Sequence, residues 1–220
     1  WVYFDQYFDR LETQGLGTNT ATLVGHGNIR VAAMGYEDRA PTAREMNAML
    51  DLTERAMADG CFGLSSGLAY APGPYAAPEE LVALSEVVAR YQGIYTSHIR
   101  NQTEGIAAAV CEVTNVGQQA CLAAHVSHMQ PGDPMLGSTR QLLEDMDALR
   151  AEGIDISCDA IPYTVGSTTL KSLLPPWALD GGDEVLLRRL RDPALREQIK
   201  ADTMQHGAES GGSRKRNLVK

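Results

Sequence analysis

The sequence predicts an α/β fold: part of a TIM-type (β/α)8 barrel carrying about five consecutive βα units. Three observations predict it. Apolar runs of strand length alternate with amphipathic helical patterns in unbroken order, with strand ends at Ser65, Ser97, Ser127 and Asp159, spacings of 32, 30 and 32 residues. Such alternation means a parallel sheet. No Gly-rich phosphate fingerprint follows any strand, which counts against a doubly wound nucleotide-binding sheet. Finally, His26, Ser65, Ser66, His98, His128 and Asp159 all fall where strands end, and barrel active sites collect at the C-terminal ends of strands.

Taken in order, residues 1–13 place Val2, Phe4, Tyr7, Phe8 and Leu11 near helical spacing, closed by Gly15 and Gly17. A short apolar strand from Ala21 runs into His26, which lies between two glycines and opens a loop through Gly35 and Asp38. Thr42-x-x-Glu45 is a capping box. It starts a helix with Met46, Met49, Leu50, Thr53 and Met57 on one face and Gly60 as its stop. Those methionines are at core spacing, which suits packing against a sheet. Cys61–Ser66 is the next strand, Gly67–Tyr75 a Gly/Pro-rich loop, and Pro78-Glu79-Glu80 a helix start with proline and acid in the first turn.

Leu81, Leu84, Val88 and Tyr91 form the stripe of that helix, and Gly93 ends it. Strand Ile94–His98 leads to a helix from Asn101-x-x-Glu104, with Ile106, Val110, Val113 and Gly117. Strand Leu122–His128 leads to a helix capped by Ser138-x-x-Gln141 and closed by Gly153, and strand Ile154–Asp159 completes the series. All four of these helices are expected to end at glycine. After Pro162 the pattern changes. The barrel portion is assigned to residues 1–170, an inserted lid or the start of a subdomain to 171–206, and a disordered Gly/Ser-rich tail to 207–220.

The composition narrows the partners. A net charge of −9 argues against nucleic acid or an anionic membrane surface. No apolar run approaches the roughly 20 residues of a membrane span. Cys61, Cys111, Cys121 and Cys158 are widely spaced with no Cys-x-x-Cys pair, a pattern that suits free thiols in a reducing compartment and hence a cytoplasmic protein.

Two similar segments stand out, Tyr95-Thr-Ser-His98 and Ala124-His125-Val-Ser-His128, each an apolar run ending in Ser-His. On neighbouring parallel strands the two imidazoles lie at matching ends, about 5 Å apart at the backbone. Both can then reach one metal ion, each Zn–N bond being about 2 Å; alternatively they are two unrelated histidines, each hydrogen-bonded in a loop. Strand alternation puts His128 on the face of Ala124 and Val126, and His125 on the other, beneath the helices or at a strand edge. His26 is either a substrate contact or a loop histidine. Arg100 either meets an anionic group near the site or makes a surface ion pair. Asp159 is a candidate third ligand or general base. Alternatively it bonds to neighbouring backbone. Tyr163 and Ser167 lie in a loop following a barrel strand, where polar side chains tend to face ligand.

Several of these stretches together resemble one family. Leu23-Val-Gly-His26-Gly-Asn-Ile-Arg30, Gly63-Leu-Ser-Ser-Gly67-Leu-Ala-Tyr70-Ala-Pro-Gly73, Tyr95-Thr-Ser-His98-Ile-Arg100, Val126-Ser-His128-Met and Pro162-Tyr163-Thr-Val-Gly-Ser167-Thr are similar to the motifs of the N-acyl-D-amino-acid deacylases, or D-aminoacylases. These are metal-dependent amidohydrolases. The likeness runs from about Ala21 to Leu190. It implies a (β/α)8 barrel of which these residues cover strands three to seven, and zinc-dependent hydrolysis of an N-acyl-D-amino acid to a carboxylate and a free D-amino acid. It also implies His98 and His128 as zinc ligands, and Tyr163, Ser167, Arg100 and Tyr70 around a small-molecule substrate. By the same likeness Asp159 is not a ligand.

The departures matter as well. The family's opening His-x-His pair, bridging cysteine and catalytic aspartate have no counterpart in these 220 residues. The aspartate is expected beyond Lys220, so the chain is expected to be an internal fragment, inactive alone. Ile161 stands where many members have tyrosine, and Gln130 where many have lysine. The alternatives are a cyclic amidase of the dihydroorotase or hydantoinase type, or a non-catalytic barrel used as a binding module.

Overall fold

The computed structural model describes residues 1–163 and 168–209. Five strands, β1 (Leu23–Gly25), β2 (Gly63–Gly67), β3 (Ile94–His98), β4 (Ala123–Val126) and β5 (Ile156–Cys158), form one sheet in chain order, every pair parallel. A doubly wound sheet reverses its strand order at a switch point. Here the order never reverses, which is barrel topology.

The helices are α1 (Phe4–Gln14), α2 (His26–Met34), α3 (Ala43–Ala58), α4 (Pro78–Arg90), α5 (Ile106–Ala120) and α6 (Thr139–Ala151), followed by α7 (Pro176–Leu179), α8 (Asp183–Arg191) and α9 (Pro193–Glu209). Consecutive helices α2 to α5 pack on one another along the sheet. Among the described residues no helix is long and apolar enough to cross a membrane.

Alternation along the strands sorts the two faces. Leu64, Tyr95, Ala124, Val126 and Ile156 are buried with Met49, Met57, Leu81, Leu84, Val110 and Val113 from the helices, forming the core. Each such aliphatic side chain contributes roughly 1.5–3 kcal/mol by leaving water. At Gly117 of α5 an added Cβ would stand 2.8 Å from the Cβ of Ala124, so only glycine lets the helix lie this close to β4. Thr96, His98, His125 and Ser157 occupy the opposite, concave face.

Several boundaries differ from the sequence expectation. His26 does not open a loop but begins α2, because Gly25 is extended and serves as the N-cap. The Thr42–Glu45 capping box is formed in full. Asn101 does not cap α5 directly: its Oδ1 accepts the N–H groups of Thr103 and Gly105, and the helix starts one residue later at Ile106. The Ser138 side chain makes no cap bond to α6. Nor does Gly117 end α5, which runs to Ala120 and closes on Cys121 at φ 55°. Gln92, not Gly93, takes the left-handed position after α4.

Beyond the sheet, Ala178, Leu186 and Ile199 make a second small core with Leu174, Trp177, Leu179 and Leu190. It touches the first body where Tyr75 Oη donates to the Pro176 carbonyl (2.6 Å) and Asp180 accepts the Asp38 N–H (2.9 Å). Helix α9 includes residues 207–209, which the sequence had assigned to the tail. Residues 210–220 of that expected tail lie outside the described residues.

Candidate functional site

At the C-terminal end of β3 and just past β4, His98 Nδ1 and His128 Nε2 are 2.8 Å apart, with ring centroids 4.4 Å apart. The register explains half of this meeting. Ser97 pairs with Val126, so the level of His98 corresponds to Ser127, and His128 is one residue further on. Simple alternation would send His128 to the helix face with Val126. Instead its backbone adopts φ 38°, which swings the ring back over the mouth. The strand-parity expectation is therefore corrected: the face of Ala124 and Val126 is the helix face, and a left-handed turn brings His128 to His98.

His125 is corrected with it. It lies on the concave face, level with Thr96 and Ser157, not under the helices. Its Nδ1 is 2.8 Å from Ser157 Oγ and its Nε2 is 3.1 Å from Asp159 Oδ2. The other oxygen, Asp159 Oδ1, accepts the backbone N–H of His128. That hydrogen bond, with the His125 ring, holds the Asp159 carboxyl below the usual carboxylate range, against a smaller opposing effect of burial. Both oxygens are thus engaged, one with backbone and one with an imidazole.

Gln102, which carried no signal in the sequence, sits 3.1 Å from both the Nδ1 and the carbonyl of His128. Tyr70 lays its ring against His98, centroids 4.6 Å apart. Burial, with the neighbouring His128, lowers the His98 pKa to about 4, so at neutral pH the ring is an uncharged donor of a lone pair.

The remaining sequence candidates are dispersed. Arg100 turns toward α5, where its Nη2 and Nε meet Glu112 (2.8 and 3.0 Å), and its Nη1 and Nη2 donate to the carbonyls of Pro74 and Ala76. Its guanidinium straps the Gly/Pro-rich loop to α5. Tyr163 is 74% exposed. Ser167 lies outside the described residues. His26 is fully buried, with Nε2 2.7 Å from Glu80 Oε1, while Arg30, one turn along α2, grips the other oxygen. It is neither a loop histidine nor a group open to a ligand. The departing positions are linked to each other, with Gln130 Nε2 donating to the Ile161 carbonyl at 3.0 Å.

Two imidazoles with facing nitrogens suit a borderline-soft divalent ion such as zinc. They supply two ligands; among the described residues no group of three His, Cys, Asp or Glu is clustered to hold a metal.

An in-order parallel βα sheet with paired imidazoles at the C-terminal mouth is the arrangement of a β/α barrel with its site at the strand ends. No family model matches the chain. Over 169 residues it is 38% identical to the D-aminoacylase of Alcaligenes xylosoxydans xylosoxydans, covering 76% of this chain and 35% of that protein. It is 41% identical over 167 residues to the N-acyl-D-glutamate deacylase of the same organism, covering 74% and 34%. Among solved structures it is similar to the N-acyl-D-glutamate deacylase of Bordetella bronchiseptica complexed with zinc and a phosphonate inhibitor, with TM-score 0.69, 40% identity and coverage of 74% of this chain and 35% of that one. A D-aminoacylase said to define a subset of amidohydrolases matches with TM-score 0.72 and 31% identity, covering 76% and 35%. The chain is similar to these N-acyl-D-amino-acid deacylases over about three quarters of its own length, and it spans about a third of the length of these relatives.

Proposed function

We propose that this chain forms part of a zinc-dependent hydrolase that cleaves the amide bond of N-acyl-D-amino acids, with His98 and His128 holding the metal. The observation that carries it is the 2.8 Å approach of the two ring nitrogens at the strand mouth. Zinc, when bound, supplies a Lewis acid for amide hydrolysis. The chain's own residues do the rest of what lies within these 220 positions. His98 and His128 present lone pairs, Gln102 and Asp159 fix the second ring, and Tyr70 covers the first from one side. Relatives named for acting on D-aminoacyl and N-acyl-D-glutamyl compounds support this substrate class.

Tyr163 and Ser167 are proposed to face the substrate from the loop after β5. Tyr70 is proposed to face it across the mouth. For Arg100 the ion pair with Glu112 favours an indirect part, through the loop it straps. We assign the helices after Leu170 to a lid over the mouth, because they reach the Tyr70–Tyr75 loop through Tyr75. The four free cysteines fit a cytoplasmic setting.

The test is zinc-dependent release of amino acid by the polypeptide expressed from its own gene. Turnover of N-acyl-D-amino acids, absent for the L-enantiomers and lost with His98→Ala or His128→Ala along with bound zinc, is expected. Undiminished zinc in both variants refutes the ligand assignment.

A further inference from the structure

The level of β3 and β4 does not bring His98 and His128 together by itself. The residue opposite His98 is Ser127, and the pair exists only because His128 is left-handed at φ 38°. For a residue with a Cβ that conformation costs roughly 1–3 kcal/mol and persists only where its surroundings over-determine it.

Besides the bond from the Ser127 N–H to the Ser97 carbonyl (2.9 Å), four hydrogen bonds surround this turn, and three of the four involve one residue. Asp159 donates its backbone N–H to the Val126 carbonyl at 3.2 Å, and its own carbonyl accepts the Met129 N–H at 2.8 Å. Its carboxylate Oδ1 accepts the N–H of His128 itself. The fourth bond runs from Gln102 Nε2 to the His128 carbonyl at 3.1 Å. The carboxylate is in turn anchored from the concave face, where Oδ2 meets His125 Nε2 at 3.1 Å and His125 is held by Ser157. Ser157, His125 and Asp159 thus form a chain of contacts ending on the backbone of the histidine that must turn.

We propose that Asp159 is the positioning residue of the mouth: its carboxylate oxygen holds His128 in the left-handed turn that places its ring against His98, and so sets the affinity of the pair for zinc. The affinity clause rests on the zinc assignment above; the positioning clause does not. The same bonds explain why Asp159 stands at a strand end without being free to serve as ligand or base.

The experiment uses the polypeptide expressed from its own gene with zinc ion alone, reading zinc affinity by calorimetry and the His98–His128 ring contact by NMR. In Asp159→Ala the ring contact is expected to disappear and zinc affinity to fall about 10–100-fold, the size seen when outer-shell partners of metal ligands are removed. Asp159→Asn keeps an acceptor oxygen for the His128 N–H, so it is expected to retain the ring contact and wild-type affinity. An intact ring contact in Asp159→Ala overturns the proposal. So does loss of that contact in Asp159→Asn, which would mean that charge and not the acceptor matters. If Asp159→Ala fails to fold, the Asn variant decides alone by the same criterion. If the wild-type chain takes up no zinc while Asp159→Ala still loses the ring contact, the positioning role stands and the zinc assignment falls.

Discussion

Two histidine clusters sit at strand exits of the same sheet, and they are built in opposite ways. At the exit of β1, His26 is sealed at 0% exposure between Glu80 and the start of α2, with Arg30 on the other carboxylate oxygen and on the carbonyl of Arg39 (2.6 Å). Its charges cancel internally, and they staple α2, α4 and the loop after α2 to one another. At the exits of β3 and β4, His98 and His128 are half-exposed and face each other, and among the described residues no acid bonds to their ring nitrogens. A strand-end position in a barrel does not by itself make a histidine a ligand site. What the second nitrogen meets, and whether solvent can enter, decides it.

The sharpest way to break this comparison is to cut the sealed cluster. Glu80→Ala leaves the Arg30 charge buried and unpaired and should cost about 3–5 kcal/mol, a large fraction of the roughly 5–15 kcal/mol that holds an ordinary domain folded; urea denaturation measures it. The same carboxylate predicts acid lability. Burial alone would raise its pKa, but hydrogen bonds from His26 and Arg30 outweigh that and hold it below the usual value. The folded form therefore binds fewer protons than the unfolded one, and the contribution is complete above the unfolded carboxylate pKa of about 4.3. It is lost as pH falls through the lower folded value. Urea midpoints followed from pH 6 to pH 3 should decline in the wild type, with a shallower decline in Glu80→Gln; identical slopes would remove Glu80 from the account.

A middle effect is expected at Arg100, which links the Tyr70 loop to α5. Arg100→Ala removes charge-assisted bonds worth about 1.5–3 kcal/mol and should loosen the contact of Tyr70 with His98, seen as lost ring-to-ring NMR contact. An unchanged contact would show that the loop holds Tyr70 without the strap. The smallest stability effect belongs to the open cluster. His98→Ala should change unfolding free energy by about 1 kcal/mol while abolishing zinc uptake, the reverse of the Glu80 result. A loss as large as that at Glu80 would erase the distinction between the two clusters.

Much of this was legible in the residues. The strand–helix alternation, the Thr42–Glu45 box and the core stripes of α3, α4 and α5 follow from periodicity, because tertiary packing agrees with local preference along those stretches. The repeated Ser-His ending pointed to the two imidazoles that meet at the mouth. The reason given for their meeting was wrong, since a period-two argument stops where the strand stops and φ 38° at His128 leaves no mark in the sequence. Gly25 and Gly27 made the β1 exit look like a loop, although His26 and Arg30, four residues apart on one helical face, were a usable sign of a shared buried partner. Glu80 could not be found that way. An acid in a first helical turn is explained by the helix dipole alone, and only the fold shows it 3% exposed between His26 and Arg30. Gln102, Glu112 and the double use of Asp159 all depend on contacts across the chain, which local spacing cannot report.

Tyr70 carries a consequence of its own. One side of its ring rests on His98, and the residue also walls a cleft lined by Tyr36, Lys171, Leu179 and Asp183. Any occupant of that cleft leans on the same phenol that buttresses the first imidazole. Selectivity for the occupant and the poise of the histidine are then tuned through a single side chain, and a mutation chosen to widen one will be felt by the other.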